Sequence, residues 1–241
     1  MLVVYGLPSC AGLRSPSPWV MKVELAMRYL RLDYRLKQPE ILQVRSEVPT
    51  SKVPCLIVDG KPIGESERIL TAIERLAAPF SYPHPSDEDQ IKGTAFLRLV
   101  EDHLFFIISR VKHLDATAST IMWSEVLPNY SLISQWLVRK YVQRTITRRI
   151  QCTSLGNLCE EEVRAEALKD IRALAAQLNS SNFIASNRLT IYDFSVAAHI
   201  ASILYWRIDN WLTRLFKEHD IFDQYLQRVA EAVGGFDYEV Q

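Results

Sequence analysis

Three short segments carry side chains whose type and position suit ligand binding. Ser17-Pro18-Trp19 reads as a helix start, with Ser17 as N-cap and Pro18 in the first turn. A helix start carries roughly half a positive charge. A ligand thiol there, receiving a hydrogen bond from the Ser17 hydroxyl, would ionise below its free pKa of about 8.5. Val53-Pro54 opens a short apolar run, where a missing N–H is tolerated. A cis bond would leave the N–H and C=O of Val53 free to pair with an extended peptide ligand; a trans proline opening a strand also accounts for the dipeptide. Glu65-Ser66 opens another helix. Ser66 and the first free N–H groups suit a carboxylate, while Glu65 suits an amino group, and one α-amino acid carries both. A serine cap followed by a first-turn acid is the plainer alternative.

The elements that must position these segments follow from the pattern. Leu2–Tyr5 is a continuous apolar run, as in a strand buried on both faces. A loop over 6–18 leads to a helix with Val20, Val23, Ala26, Met27 and Leu30 at helical spacing, and 33–37 reads as a second strand. Residues 53–63 contain two short strands around Asp59-Gly60, a hairpin signal. An amphipathic helix over 66–76 turns Ile69, Leu70, Ile73 and Leu76 inward. The order is β-α-β then β-β-α, so the first two strands pair in parallel and the last two antiparallel.

Residues 78–86 hold three prolines and exclude helix or strand interior. Beyond them the pattern is helical, over about 88–114, 119–149 with a break near Pro128, 160–179, 190–206 and 208–233 in pieces. The expected domains are 1–78, a linker over 79–87, and an all-helical 88–241. Thr190 and Asp193 form a helix-capping pair.

Hydrophobic residues make up 48% and 28 basic residues balance 28 acidic ones, so no global field favours nucleic acid. The basic stretch Arg139, Lys140, Arg144, Arg148 and Arg149 reads as a solvated helical face, and a binding patch is the alternative. Cys10, Cys55, Cys152 and Cys159 show neither CxxC nor zinc spacing, so no metal is expected. The apolar runs are too short to span a bilayer, and a cytoplasmic chain with reduced thiols is expected.

In their common order, Ser17-Pro18-Trp19-Val20-Met21-Lys22-Val23, Ser51-Lys52-Val53-Pro54-Cys55-Leu56-Ile57-Val58-Asp59-Gly60 and Ile63-Gly64-Glu65-Ser66 resemble the N-terminal domain of glutathione transferases. The resemblance implies a thioredoxin-like α/β domain followed by an all-α glutathione-transferase domain. It implies that Ser17 activates the sulfur of glutathione, a co-substrate. It gives Val53, beside a cis Pro54, the cysteinyl backbone; Glu65 and Ser66 the γ-glutamyl end; and Lys52 the glycyl carboxylate. Tyr5 and Cys10 are the alternatives to Ser17, because related proteins use a tyrosine or a cysteine at the sulfur. His103 and Trp19 are candidates for the acceptor pocket. Val100-Glu101-Asp102-His103-Leu104, Arg148-Arg149, Glu160-Glu161-Glu162-Val163 and Leu189-Thr190-Ile191-Tyr192-Asp193 resemble the metaxin-like and failed-axon-connections-like branch of the superfamily.

The implied activity is transfer of glutathione to a small hydrophobic electrophile by a homodimeric enzyme. The alternatives are a non-catalytic binding or adaptor protein of the same fold, and a thiol-disulfide oxidoreductase using Cys10.

Overall fold

β1 (Leu2–Tyr5), α1 (Pro18–Tyr29) and β2 (Tyr34–Lys37) form a βαβ unit, as the spacing requires. A 3₁₀ turn and α2 (Val44–Glu47) fill the polar stretch that follows; neither is visible in the sequence pattern. β3 (Cys55–Val58), β4 (Lys61–Gly64) and α3 (Ser66–Leu76) complete the α/β part. The computed structural model describes residues 1–240.

The sheet order is β2-β1-β3-β4. β1 runs parallel to β2 and antiparallel to β3, and β3 pairs antiparallel with β4. Asp59 and Gly60 both take positive φ, 48° and 79°, the backbone demanded by a tight hairpin turn that follows the strand twist. The fold is therefore a thioredoxin-like mixed sheet with a mostly helical remainder.

The helical part contains α4 (Asp87–Arg98), a π-helical turn at Leu99–Leu104, α5 (Phe105–Leu114), α6 (Ala116–Val126), α7 (Leu132–Gln151) and α8 (Glu160–Ser180). α9 (Ile191–Leu204), α10 (Trp211–Lys217) and α11 (Ile221–Ala232) follow. Ser86 and Asp115 cap α4 and α6 through their side chains. The expected cap on α9 is present: Thr190 N–H and Oγ1–H both donate to Asp193 Oδ2 at 2.8 Å. Asp193 Oδ1 also accepts from Ile184 N–H and the Tyr225 hydroxyl. Burial raises the pKa of this enclosed carboxyl, and the four donors work against that rise.

α1 is buried over most of its length, lying against α3 on one side and α9 on the other. One continuous core runs from Val4 and Leu56 through Met21 and Leu25 to Ile200 and Leu226. Residues 77–86 contain no helix or strand. Among the described residues no helix is long and apolar enough to cross a membrane.

Candidate functional site

The start of β3 and the start of α3 meet at a pocket of about 190 Å³. Trp19, Thr50, Lys52, Val53, Pro54, Gly64, Glu65 and Ser66 line it. The Val53–Pro54 bond is cis. Val53 precedes the β3 ladder, which begins at Cys55, and among the described residues no protein group hydrogen-bonds its N–H or C=O.

Glu65, not Ser66, occupies the N-cap position of α3, and its φ of 63° with ψ of 121° is a strained backbone for a residue with a Cβ. Such strain persists only where the surroundings hold it, and it gathers at ligand sites. Ile69 N–H donates to Glu65 C=O, so the N–H groups of Ser66, Glu67 and Arg68 stand at the unpaired helix end. Ser66 is buried, and its hydroxyl bonds no other side chain or backbone group among the described residues. The pocket can thus present the unpaired backbone of Val53 and an anion cradle at Ser66 in one hollow.

The opposite end is less regular. Ser17 stands at the N-cap position of α1, but its side chain makes no capping bond; its N–H donates to Ser15 Oγ at 3.3 Å. Ser17 does not line the 190 Å³ pocket, whereas Trp19 does. The Trp19 ring is fixed edge-on by Phe105 and His199, at 4.3 and 5.3 Å between centroids.

The loop between β1 and α1 is stitched to the helical part and to the C-terminal tail. Ala11 N–H donates to Glu125 Oε2 at 2.6 Å, and Arg207 N–H to Ala11 C=O at 2.9 Å. Arg14 N–H donates to Tyr238 C=O, and Val240 N–H to Gly12 C=O. Gly12 has φ of 81°, and a Cβ there would lie 2.5 Å from the Arg207 side chain.

The two alternatives to Ser17 have other partners. The Tyr5 hydroxyl accepts from Lys37 Nζ at 3.3 Å, and that ammonium also lies over the Tyr5 ring. Cys10 is buried, and burial together with Glu125 pushes its thiol up to about 12. A thiol held protonated and out of solvent is a poor nucleophile, which weighs against the alternative of a mixed disulfide at Cys10. Beside it, burial brings the Lys112 ammonium down to about 7.

His103 also departs from expectation. It faces α8, where its Nδ1 lies 2.6 Å from Asp170 Oδ2, and it does not line the pocket. The Asp170 hydrogen bond raises its pKa. Its neighbour Glu101 turns inward instead. Lys22, fully buried on α1, reaches Glu101 at 2.8 Å and pairs with Glu67 on α3. Burial alone would raise the Glu101 carboxyl, but Lys22 and the Ser195 hydroxyl hold it below the ordinary carboxylate range. This network lies beneath the start of α3. Lys22 is a polar residue inside an apolar helical stripe, and that is the one sequence signal that could have exposed it.

Among the described residues no cluster of histidine, cysteine and acidic side chains could hold a metal ion. All four cysteines are free thiols.

A thioredoxin-like sheet with a cis proline just ahead of β3, followed by a helical half, is the arrangement of the glutathione-transferase fold. A family model for the glutathione S-transferase N-terminal domain matches residues 18–118. An isoprene-epoxide–glutathione S-transferase of Rhodococcus sp. (strain AD45) is 25% identical over 213 residues, covering 83% of this chain and 87% of that protein. The solved beta-etherase LigF from Sphingobium sp. strain SYK-6 aligns with a TM-score of 0.66 at 14% identity, covering 97% of each chain. A Bombyx mori glutathione transferase aligns with a TM-score of 0.61 at 15% identity, over 97% of this chain and 88% of that one. The two structures show the shared fold. The sequence matches agree with that fold.

Proposed function

We propose that this protein is a glutathione transferase that ionises the glutathione thiol and delivers it to a small hydrophobic electrophile. The observation that carries this reading is the convergence of Val53, Glu65 and Ser66 on one pocket, beside a cis proline. Ser66 and the α3 amide groups hold the γ-glutamyl carboxylate, Glu65 holds its amino group, Val53 pairs with the cysteinyl backbone, and Lys52 reaches the glycyl carboxylate. The sulfur then points toward the α1 start, where the free Ser17 hydroxyl donates to it and the helix dipole favours the thiolate. Trp19 supplies an apolar wall. Catalysis consists of thiolate stabilisation and positioning.

The Rhodococcus relative's name supplies a first electrophile, a small epoxide. Attack by the thiolate on an epoxide carbon forms the C–S bond and breaks a C–O bond, and the resulting alkoxide takes a proton. A cytoplasmic homodimer belongs to the same reading. The likeness to the metaxin-like branch, which favours an adaptor, rests on the second-domain motifs alone. Calorimetric titration with glutathione, followed by an assay of epoxide conjugation, tests the proposal. Absence of binding at millimolar glutathione would remove it, while binding without turnover would favour the adaptor.

A further inference from the structure

α7 has two apolar faces. Val138, Val142, Ile146 and Ile150 pack on the core. Leu132, Ile133, Trp136, Leu137 and Tyr141 point away from it and are between 50 and 81% exposed. An outward cluster of this size is unusual on a helix whose core-facing stripe is already complete.

Further along the same outward face stand Lys140, Arg144 and Arg148, all exposed. α7 carries five basic residues and no acidic one. None of the ion pairs among the described residues involves α7. The exposed surface is therefore apolar in the first half of a helix of 20 residues and cationic in the second.

This polarity decides the occupant. In an antiparallel pairing of two copies through α7, each apolar half would meet the other's cationic half. In a parallel pairing the cations would face one another. A partner protein's helix needs a groove, and the hollow beside Trp136 measures about 190 Å³, below the range of even a small-ligand site, roughly 300 Å³ and upward. A convex helix carrying Trp, Leu and Ile next to Lys and Arg instead matches the boundary of an anionic bilayer, which needs no complementary shape.

We propose that α7 docks the protein on an anionic lipid surface. Leu132, Ile133, Trp136 and Leu137 enter the headgroup–acyl boundary, and Lys140, Arg144 and Arg148 contact the headgroup phosphates. The proposal is independent of the reaction at the α3 pocket.

Sedimentation of the full chain with vesicles tests it. Binding is expected to vesicles containing phosphatidylglycerol, not to phosphatidylcholine alone, and is expected to fall as salt rises. Trp136→Ser with Leu137→Ser should abolish binding, and Arg144→Gln and Arg148→Gln should each weaken it about fivefold. The blue shift of tryptophan emission on binding should be missing in Trp136→Phe. Circular dichroism shows whether these surface variants remain folded. Failure to bind the anionic vesicles would overturn the proposal, as would equal binding to both lipid compositions. Self-association lost in Trp136→Ser would assign the face to a second copy. Binding of polyglutamate in place of vesicles would assign it to an acidic protein.

Discussion

The candidate site spans two regions, the α3 pocket and the loop before α1, and they are held in place by different means. At one end Lys52, Val53, Pro54, Glu65 and Ser66 belong to a single hairpin and the helix it feeds. At the other end the loop from Gly6 to Ser17 takes its shape from Glu125, Arg207 and the tail at Tyr238–Val240. The first end is built by local structure, and the second by contacts that form only after the chain has closed on itself. A recognition function for the unchanging part of a ligand suits the first. Adjustment to different electrophiles suits the second.

The largest expected effect ties the first end to the helical part. Lys22→Ala would leave Glu101 charged, buried and without its cation, at a cost of roughly 3–5 kcal/mol in urea unfolding. Adding Glu101→Gln should recover part of the loss, which a simple packing defect would not allow.

Next comes a direct contrast between the ends. Ser66→Ala should weaken glutathione binding by about 1.5–3 kcal/mol in calorimetry, the worth of a hydrogen bond to a charged group. Ser17→Ala should lower the conjugation rate and leave affinity nearly unchanged; an unaltered rate would move the sulfur role to another group.

Gly12→Ala acts on the second end alone. Its left-handed backbone should cost about 1–2 kcal/mol of stability. Displacing Arg207 should raise KM for the electrophile, with the glutathione Kd unmoved. A change in both constants would mean the ends are coupled more tightly than their contacts indicate.

The smallest effect lies away from both. Because Asp170 raises the His103 pKa, the stabilisation is fully present below about pH 6.5 and is lost as pH climbs through the raised value. His103→Ala should therefore lower stability modestly in acid, by under about 1 kcal/mol, and less in alkali. Thermal melts at the two pH values measure it.

The same contrast governs what could be read in advance. The β-α-β and β-β-α order, the Asp59-Gly60 turn and the Thr190–Asp193 cap were all legible, because each is written in neighbouring residues. So was the grouping of Val53 with Glu65 and Ser66. The destination of His103 was not, because His103 and Glu101 lie on one turn and only the packing of α8 and α1 decides which side chain faces which. The π turn at Leu99–Leu104 leaves no composition signal. The environment of Cys10 was not legible either, because the charges that act on its thiol, Glu125 and Lys112, lie more than a hundred positions away. The basic run in α7 was visible, whereas the outward placing of Leu132, Ile133, Trp136 and Leu137 depends on Val138, Val142, Ile146 and Ile150 taking the inward stripe.

The burial of α1 also bears on modularity. Its Met21, Leu25 and Lys22 serve the sheet side and the helical side at once, through α9 and Glu101. A chimera joining this α/β half to the helical half of a relative would keep the Lys22–Glu67 pair but lose the second, buried carboxylate from that ammonium unless the donor brought one at the place of Glu101. The two halves are thus bound to be inherited together, and a single cooperative unfolding transition is the thermodynamic signature of that bond.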